Sequence, residues 1–364
     1  MVMCAISLYC LLFGVARVYY RKLQRVGKKT FSLNLPRNWV INAGIQKGAN
    51  LEIRELDSGD LLISFPESKE VEKKPTVMEI ITSDTLSRDI TRAYLLGYEK
   101  IVIKTDNATG FTTNEMKEIE LASRKYPGAE IMHEGKNEIT FEIIASFEKM
   151  GPYKLIHYIF NTTQQMLNDI ANVLNPKHPK NGPIVEELRR IQGLDLKVNR
   201  TYLLVVRQLR ALIQDPSLRN RQDLNSLRIM DYRLFVHLLE HIGDNCVLIC
   251  EHLIEFKNLV MELLDKSYAL DKENDSILEY LVTVSHQVRD AHKKTFDVFV
   301  KTGYKQAPKL IQEFPRDLQK YIQEFKVHPH KAPLSIILYR FYDILDMLVD
   351  ILDLIQPEEG LLEY

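Results

Sequence analysis

RIMDYRLFVHLLEHIGDNCVLICEHLIE, residues 228–255, decides how the rest of the chain is read. Its Leu234, Leu238, Ile242, Ile249 and Leu253 recur at helical spacing, while Glu240, Asp244 and Glu251 stand at i, i+4 and i+11 on one face. A single helix thus offers a packing stripe and a row of carboxylates able to gather cations. Such a row is ordinarily the solvated side of an amphipathic helix, so cation binding has to be supported by other parts of the chain.

Outward from this stretch, strand signals are absent from Gly151 onward. Apolar periodicity predicts helices over about 154–174, 185–213, 228–264, 274–301, 308–325 and 334–355. The breaks between them are the three prolines of NPKHPKNGP (175–183), Asp215-Pro216, Gly303 and the HPHKAP turn (328–333). Six amphipathic helices with short connections make antiparallel bundles, and the break after the third divides residues 151–356 into two similar halves, about 151–265 and 266–356.

On the N-terminal side, the charged SKEVEKKP (68–75) marks a domain boundary. Residues 76–148 then alternate as strand, helix, strand, helix, strand, strand: TVMEII, a helix capped by Ser83 or Asp84 and stopped at Gly97, EKIVIK, a helix opened by Thr112 and Glu115 at capping-box spacing, AEIMH and NEITFEII. No glycine-rich phosphate loop and no convergent acid–base set lies in this α/β connector, which reads as a structural or interaction domain.

Residues 18–66 show short strands, a brief helix after Pro36 and a hairpin around Asp57-Ser58-Gly59. Forty-odd residues of small β-structure make a weak core, so this piece is expected to dimerise. Gly27-Lys28-Lys29-Thr30 resembles the end of a phosphate-binding loop, but Lys22 stands where the first glycine is required and no strand–loop–helix follows. Nucleotide binding is excluded there.

The run RKLQRVGKKTFSLNLPRNWVINAGIQKGANLEI (21–53) resembles the SpoVT/AbrB family, small DNA-binding domains in which two chains interlock hairpins into one barrel. The resemblance implies a homodimer through this domain and phosphate-backbone contacts by Arg21, Lys22, Arg25, Lys28, Lys29 and Arg37, since positive side chains release DNA counterions. Without DNA contact, the same residues form a solvated basic face on a dimerising module.

The segment LEHIGDNCVLICE (239–251) resembles the PhoU family, helical regulators of phosphate uptake built from two three-helix repeats whose acid-x-x-x-acid motifs bind metal ions. Glu240 and Asp244 match that motif. On the preceding helix, Asp195 and Asn199 occupy the partner positions, with Asn199 lacking the charge expected there. In the second half, Glu313 and Asp317 flank Pro315, and Asp343 stands where Asp244 does while Tyr339 replaces Glu240. The likeness implies a divalent or trivalent ion (Fe, Zn, Mn or Mg), with oxygen ligands one turn apart on adjoining helices. It also implies partners among phosphate ABC transporter components or phosphate-signalling proteins, and a cytoplasmic location with membrane association through such a transporter.

A rival is His237-Leu-Leu-Glu240-His241, which fits the H-x-x-E-H string of zinc metallopeptidases, although no third ligand can be placed. A non-catalytic helical adaptor is the other alternative. The remaining histidines, His328 and His330 among them, read as surface residues.

Composition bounds these readings. At 364 residues, 45% hydrophobic and 27% charged, the chain is an ordinary globular protein of two or three domains. Its net charge is −1, yet residues 17–54 carry nine Lys or Arg against Glu52 alone, and residues 343–364 carry seven acids and no base. A basic block of that kind can meet an anionic partner in a neutral chain, and the acidic end cannot share that surface. Four cysteines are too few for a disulfide scaffold; Cys246 and Cys250 on one helix are expected to be buried. VMCAISLYCLLFGVA falls short of the roughly 20 residues a spanning helix needs and lacks a basic leader, so residues 1–17 read as an apolar extension or a weak membrane anchor. The expected fold is multi-domain and mainly α: a swapped-hairpin β-barrel head, an α/β connector and two antiparallel three-helix bundles. No residue set calls for catalysis.

Overall fold

The structure, a computed structural model, describes residues 19–27, 29–55, 59–65, 76–144, 151–175, 184–215, 218–219, 222, 224–260, 276–301, 303–315 and 332–355. They belong to two compact units, Met1–Lys74 and Pro75–Tyr364.

In the first unit, β1 (Gln24–Val26) pairs antiparallel with β2 (Thr30–Ser32), and β3 (Glu52–Glu55) with β4 (Leu61–Ser64). Between them lies α1 (Arg37–Asn42), which Pro36 introduces with φ −62°. The two hairpins form separate two-stranded sheets, so the expected barrel is not closed within one chain. The reason is size: strands of three or four residues cannot cover both faces. None of the residues whose burial is described in this unit is buried, and Leu23, Val26, Phe31, Leu33, Ile41, Ile53 and Leu61 are 48–65% exposed.

The second unit opens with the α/β connector in the predicted order. Strand β5 (Val77–Ile81) runs parallel to β6 (Lys100–Lys104) through the crossover α2 (Leu86–Leu96). After α3 (Thr113–Lys125), the hairpin β7 (Ala129–Glu134) and β8 (Glu138–Ile143) completes a sheet of order β5-β6-β8-β7. Ile80, Ile101, Ile103, Ile139 and Phe141 pack with Leu86, Ile90, Tyr94 and Ile119 of the two helices into one core. The Thr112/Glu115 capping box forms as expected. The cap of α2 is Thr85 rather than Ser83 or Asp84; Ser83 Oγ instead accepts the Thr85 N–H in a local turn. Gly97 ends α2 at φ 94°, a left-handed conformation that glycine takes without strain.

The helical part comprises α4 (Pro152–Leu174), α5 (Ile184–Gln214), α6 (Ser226–Glu255), α7 (Ser276–Val300), α8 (Ala307–Gln312) and α9 (Leu334–Asp353). Helices α4, α5 and α6 pack mutually; α7 lies on α4, and α9 on α6 and α7. A single continuous core runs through both halves. Two expectations fail in detail. The helix predicted over 308–325 is interrupted after Gln312, where the chain leaves helical geometry ahead of Pro315, and residues 316–325 lie outside the described residues. On α6, Leu238, Ile242, Ile249 and Leu253 are buried but Leu234 is 43% exposed, the core taking Phe235 and Val236 at that turn. The helix closes at Glu255 with Phe256 as its cap, residues 257–260 are helical again, and residues 261–264, to which it was expected to reach, lie outside the described residues.

Helix α5 also carries the connector. Its Leu203 enters the connector's core, and Arg207 donates from Nη1 to the Tyr94 carbonyl (2.6 Å) and from Nη2 to that of Gly97 (3.2 Å). A guanidinium at the C-terminal carbonyls of α2 also meets the negative end of the helix dipole. Replacing Arg207 with Ala strips a charged donor from two half-buried carbonyls, and is expected to cost about 2 kcal/mol in urea unfolding and to speed amide exchange over residues 86–97. Unchanged exchange there would show that this clamp does not hold the connector.

Candidate metal centre

Helix α6 buries much of its surface, with Phe235, Val236, Leu239, Ile242, Cys246, Ile249 and Cys250 all at 0–1% exposure. Both cysteines are unpaired thiols in this core, as expected, and burial raises their pKa values. What interrupts the apolar surface is one strip. His237, Glu240, His241 and Asp244, at i, i+3, i+4 and i+7, share a face and are all half-buried.

Against that strip α5 presents Asp195 and Asn199. Their approach depends on Gly243, where a Cβ would lie 3.2 Å from Asp195 Oδ1 and 3.3 Å from Val198 Cγ1. The missing side chain lets α5 come against the backbone of α6. Asn199 Nδ2 donates to Asp195 Oδ2 at 2.6 Å, so the residue that lacks the expected charge steadies the acid beside it.

Burial and crowding act together on these carboxyls. Asp195 is pushed up to about 6, first by burial and then by Asp244, against the hydrogen bond from Asn199. Glu240 is pushed up to about 7 by burial, Asp244 and Asp195, with Arg233 opposing. Burial also raises Asp244, which His241 and His237 partly offset, and it lowers His237. The strip thus holds carboxyls short of compensating positive charge beside an imidazole that burial keeps neutral.

Three buried atoms in the cluster make no hydrogen bond: Asp195 Oδ1, Asn199 Oδ1 and His237 Nδ1. An ionised carboxylate and an amide oxygen only accept, and the imidazole has a lone pair at Nδ1 in the neutral tautomer that carries its proton on Nε2. His237 Nδ1 stands 3.7 Å from Glu240 Oε2, too far for a hydrogen bond. One donor atom from each of His237, Glu240 and His241 lies within 4.8 Å of the other two. Ligands about 2 Å from a shared ion are separated by about 4 Å at most, so this donor set stands slightly wider than one metal's coordination shell. The residues present fit a metal ion.

The sequence model of the PhoU domain matches residues 156–253. That span takes in α5 whole, nearly all of α4 and α6, and all six polar residues of the cluster. Outside the PhoU match lie the first unit, the connector and α7 to α9. No curated protein and no solved structure matches the chain significantly.

The second half arranges its acids differently. Glu313 caps α8, and its carboxylate takes the Lys294 ammonium at 2.7 Å. Asp317 lies outside the described residues. Asp343 receives Arg340 Nη1 at 3.1 Å. Among the described residues, no other group of three potential ligands comes as close together as the one on α6. Of the basic candidates, Arg21, Lys22, Arg25, Lys29 and Arg37 are exposed on the first unit, and Lys28 lies outside the described residues.

His292 of α7, expected at the surface, is 1% exposed: it stacks on Phe160, with Nε2 3.1 Å from Thr163 Oγ1 and Nδ1 2.7 Å from Gln164 Oε1. Burial lowers it to about 3, so it is a neutral core residue. Its apolar helical neighbours Val288 and Phe296, both buried, were the available signal.

The raised acids set a pH dependence for the metal-free protein. Asp195 and Glu240 have folded pKa values above their ordinary 3.8 and 4.5, so their favourable contribution is complete below those values and is lost as pH rises through about 6 and about 7. Thermal unfolding in chelator is expected to show falling stability from about pH 4 to about pH 7, flattened in Glu240→Gln. Equal slopes in parent and variant would mean that Glu240 is not strained.

Proposed function

We propose that this chain is a regulator of phosphate homeostasis. Its bundle presents a metal-dependent surface to a phosphate ABC transporter component or phosphate-signalling protein, and its first unit binds DNA as a homodimer. One observation carries the reading: the PhoU match coincides with the strip where buried carboxyl, amide and imidazole donors lack partners.

At the strip, Glu240, Asp244 and Asp195 are the anionic ligands, with Asn199 holding Asp195 in place. An ion of the Fe, Zn, Mn or Mg class supplies positive charge that relieves their mutual repulsion and ties α6 to α5. The protein's own part is to hold the donors, shield them within the bundle and leave the strip half open to a partner. Among the described residues no helix is long and apolar enough to cross a membrane. The proposed site of action is the cytoplasm, with membrane contact through the transporter.

The DNA-binding part of the proposal rests on the SpoVT/AbrB resemblance, the exposed basic residues and the exposed apolar side chains of the first unit. Phe31, Ile41 and Ile53 have no core in one chain, and a second copy offers the same surface in return, as an isologous contact requires. A peptidase is disfavoured because its glutamate must stay off the metal to activate water, whereas Glu240 sits within ligand distance of both histidines. A pure adaptor would bind neither metal nor DNA.

Elemental analysis of the purified protein is expected to find metal that falls well below stoichiometry in Glu240→Ala/Asp244→Ala; equal contents would remove the proposed centre. Arg21→Ala with Lys22→Ala is expected to weaken a gel shift on the protein's own upstream DNA and to lower the salt slope by about 2. An unaltered slope would mean that the first unit does not grip DNA through these residues.

A further inference from the structure

We infer that the centre on α6 is a mixed nitrogen–oxygen site for a zinc-class ion, with His237 and His241 as ligands beside Glu240 and Asp244. This rests on the metal-binding reading above and goes beyond its all-carboxylate form by naming the nitrogen donors and the class of ion they select.

The spacing is the first reason. Two histidines one turn apart on a helix direct their rings to the same side, and those of His237 and His241 lie 4.3 Å apart at 81°, edge to face. Glu240 falls between them in the helical net, with a donor atom inside the same 4.8 Å span. The second reason is the state of His237. Its Nδ1 is shielded from solvent and makes no hydrogen bond, although the ring as a whole is partly exposed. An imidazole nitrogen beside the Glu240 carboxylate with no hydrogen-bond partner offers its lone pair in the tautomer protonated at Nε2.

The third reason is the support behind the ring. Tyr202 of α5 faces the His237 imidazole at 6.1 Å between centroids and 27° between planes. Arg233 Nη2 donates to the Tyr202 hydroxyl at 3.1 Å, and its guanidinium lies over the Tyr202 ring. The tyrosine is thus held on one side and limits the tilt of His237 on the other, the kind of outer contact that orients a metal ligand. Tyr202 is a positioning residue.

Donor identity selects the ion. Magnesium and calcium take oxygen ligands and retain water, so two imidazoles disfavour them, whereas zinc and its first-row neighbours bind imidazole and carboxylate together. Asp195 Oδ1, brought against α6 at Gly243, and Asn199 Oδ1, whose amide nitrogen holds Asp195, are both unpartnered and are further oxygens on the α5 side for ligation or for holding a bound water.

The decisive measurement uses the unaltered full-length protein loaded with zinc alone. X-ray absorption at the zinc edge is expected to show the multiple-scattering pattern of two imidazoles with oxygen completing the shell; an all-oxygen shell overturns the inference. Zinc and manganese affinities, read by competition with a chromophoric chelator, extend the test. His237→Ala and His241→Ala are each expected to weaken zinc at least about tenfold while changing manganese by less than about threefold, and Tyr202→Leu to weaken zinc by a smaller factor. If zinc affinity stays at the parental value in both histidine variants but collapses in Glu240→Gln/Asp244→Asn, the nitrogen ligands are refuted and the carboxylate centre stands. If the parent protein binds neither zinc nor manganese, both readings fall together.

Discussion

The close approach of α5 to α6 at Gly243 is the constraint from which the bundle's chemistry follows. A glycine inside a helix costs about 1 kcal/mol relative to alanine, and it is tolerated where it admits a neighbour. Here the neighbours are Asp195 and Val198, which would crowd any Cβ at that position. Because α5 comes this near, a carboxyl from one helix joins two on the other, and their charges oppose one another. Burying several acids together is unfavourable unless a proton or a cation joins them. The raised affinity of Asp195 and Glu240 for protons and the unpartnered oxygens are two signs of the same unmet demand.

Much of this was legible in the residues. Five of the six long helices, the connector's element order and the Thr112/Glu115 capping box follow from period, turn chemistry and spacing, and the structure reproduces them. Glu240 and Asp244 could be placed on one face from helical geometry alone. The companionship of Asp195 could not, because it depends on a contact between helices separated by a loop and permitted by one glycine. The same limit explains Leu234 and His292. Periodicity puts a leucine inside and a lone histidine outside, but the packing neighbour decides: Phe235 and Val236 fill the core at one, while Phe160, Thr163 and Gln164 enclose the other.

The first unit shows the opposite failure. Its strands and brief helix were visible as local signals, yet local signals cannot say what covers Phe31 or Ile53. A hairpin of three- or four-residue strands has too little surface to enclose its own apolar side chains, so a solitary copy leaves them in water. Exposed apolar area on this scale is what surfaces that meet another molecule commonly carry. The basic side chains of the same unit remain at the surface, so polar and apolar parts can serve different partners.

The two halves of the bundle share a core but not an electrostatic state, and this difference places the chemistry. In the second half, Asp343 has Arg340 one turn away and Glu313 has Lys294 on the neighbouring helix. The Glu313 pair is largely exposed and the Asp343 pair partly so, and both add little to stability, but each gives its acid a cation that needs no ligand. In the first half, Arg233 is the cation that acts on Glu240, and its Nη2 is engaged by the Tyr202 hydroxyl. One arginine shared with a tyrosine does not balance three carboxyls. The demand for an external cation is therefore concentrated where α5 meets α6, on the strip bearing His237, Glu240, His241 and Asp244.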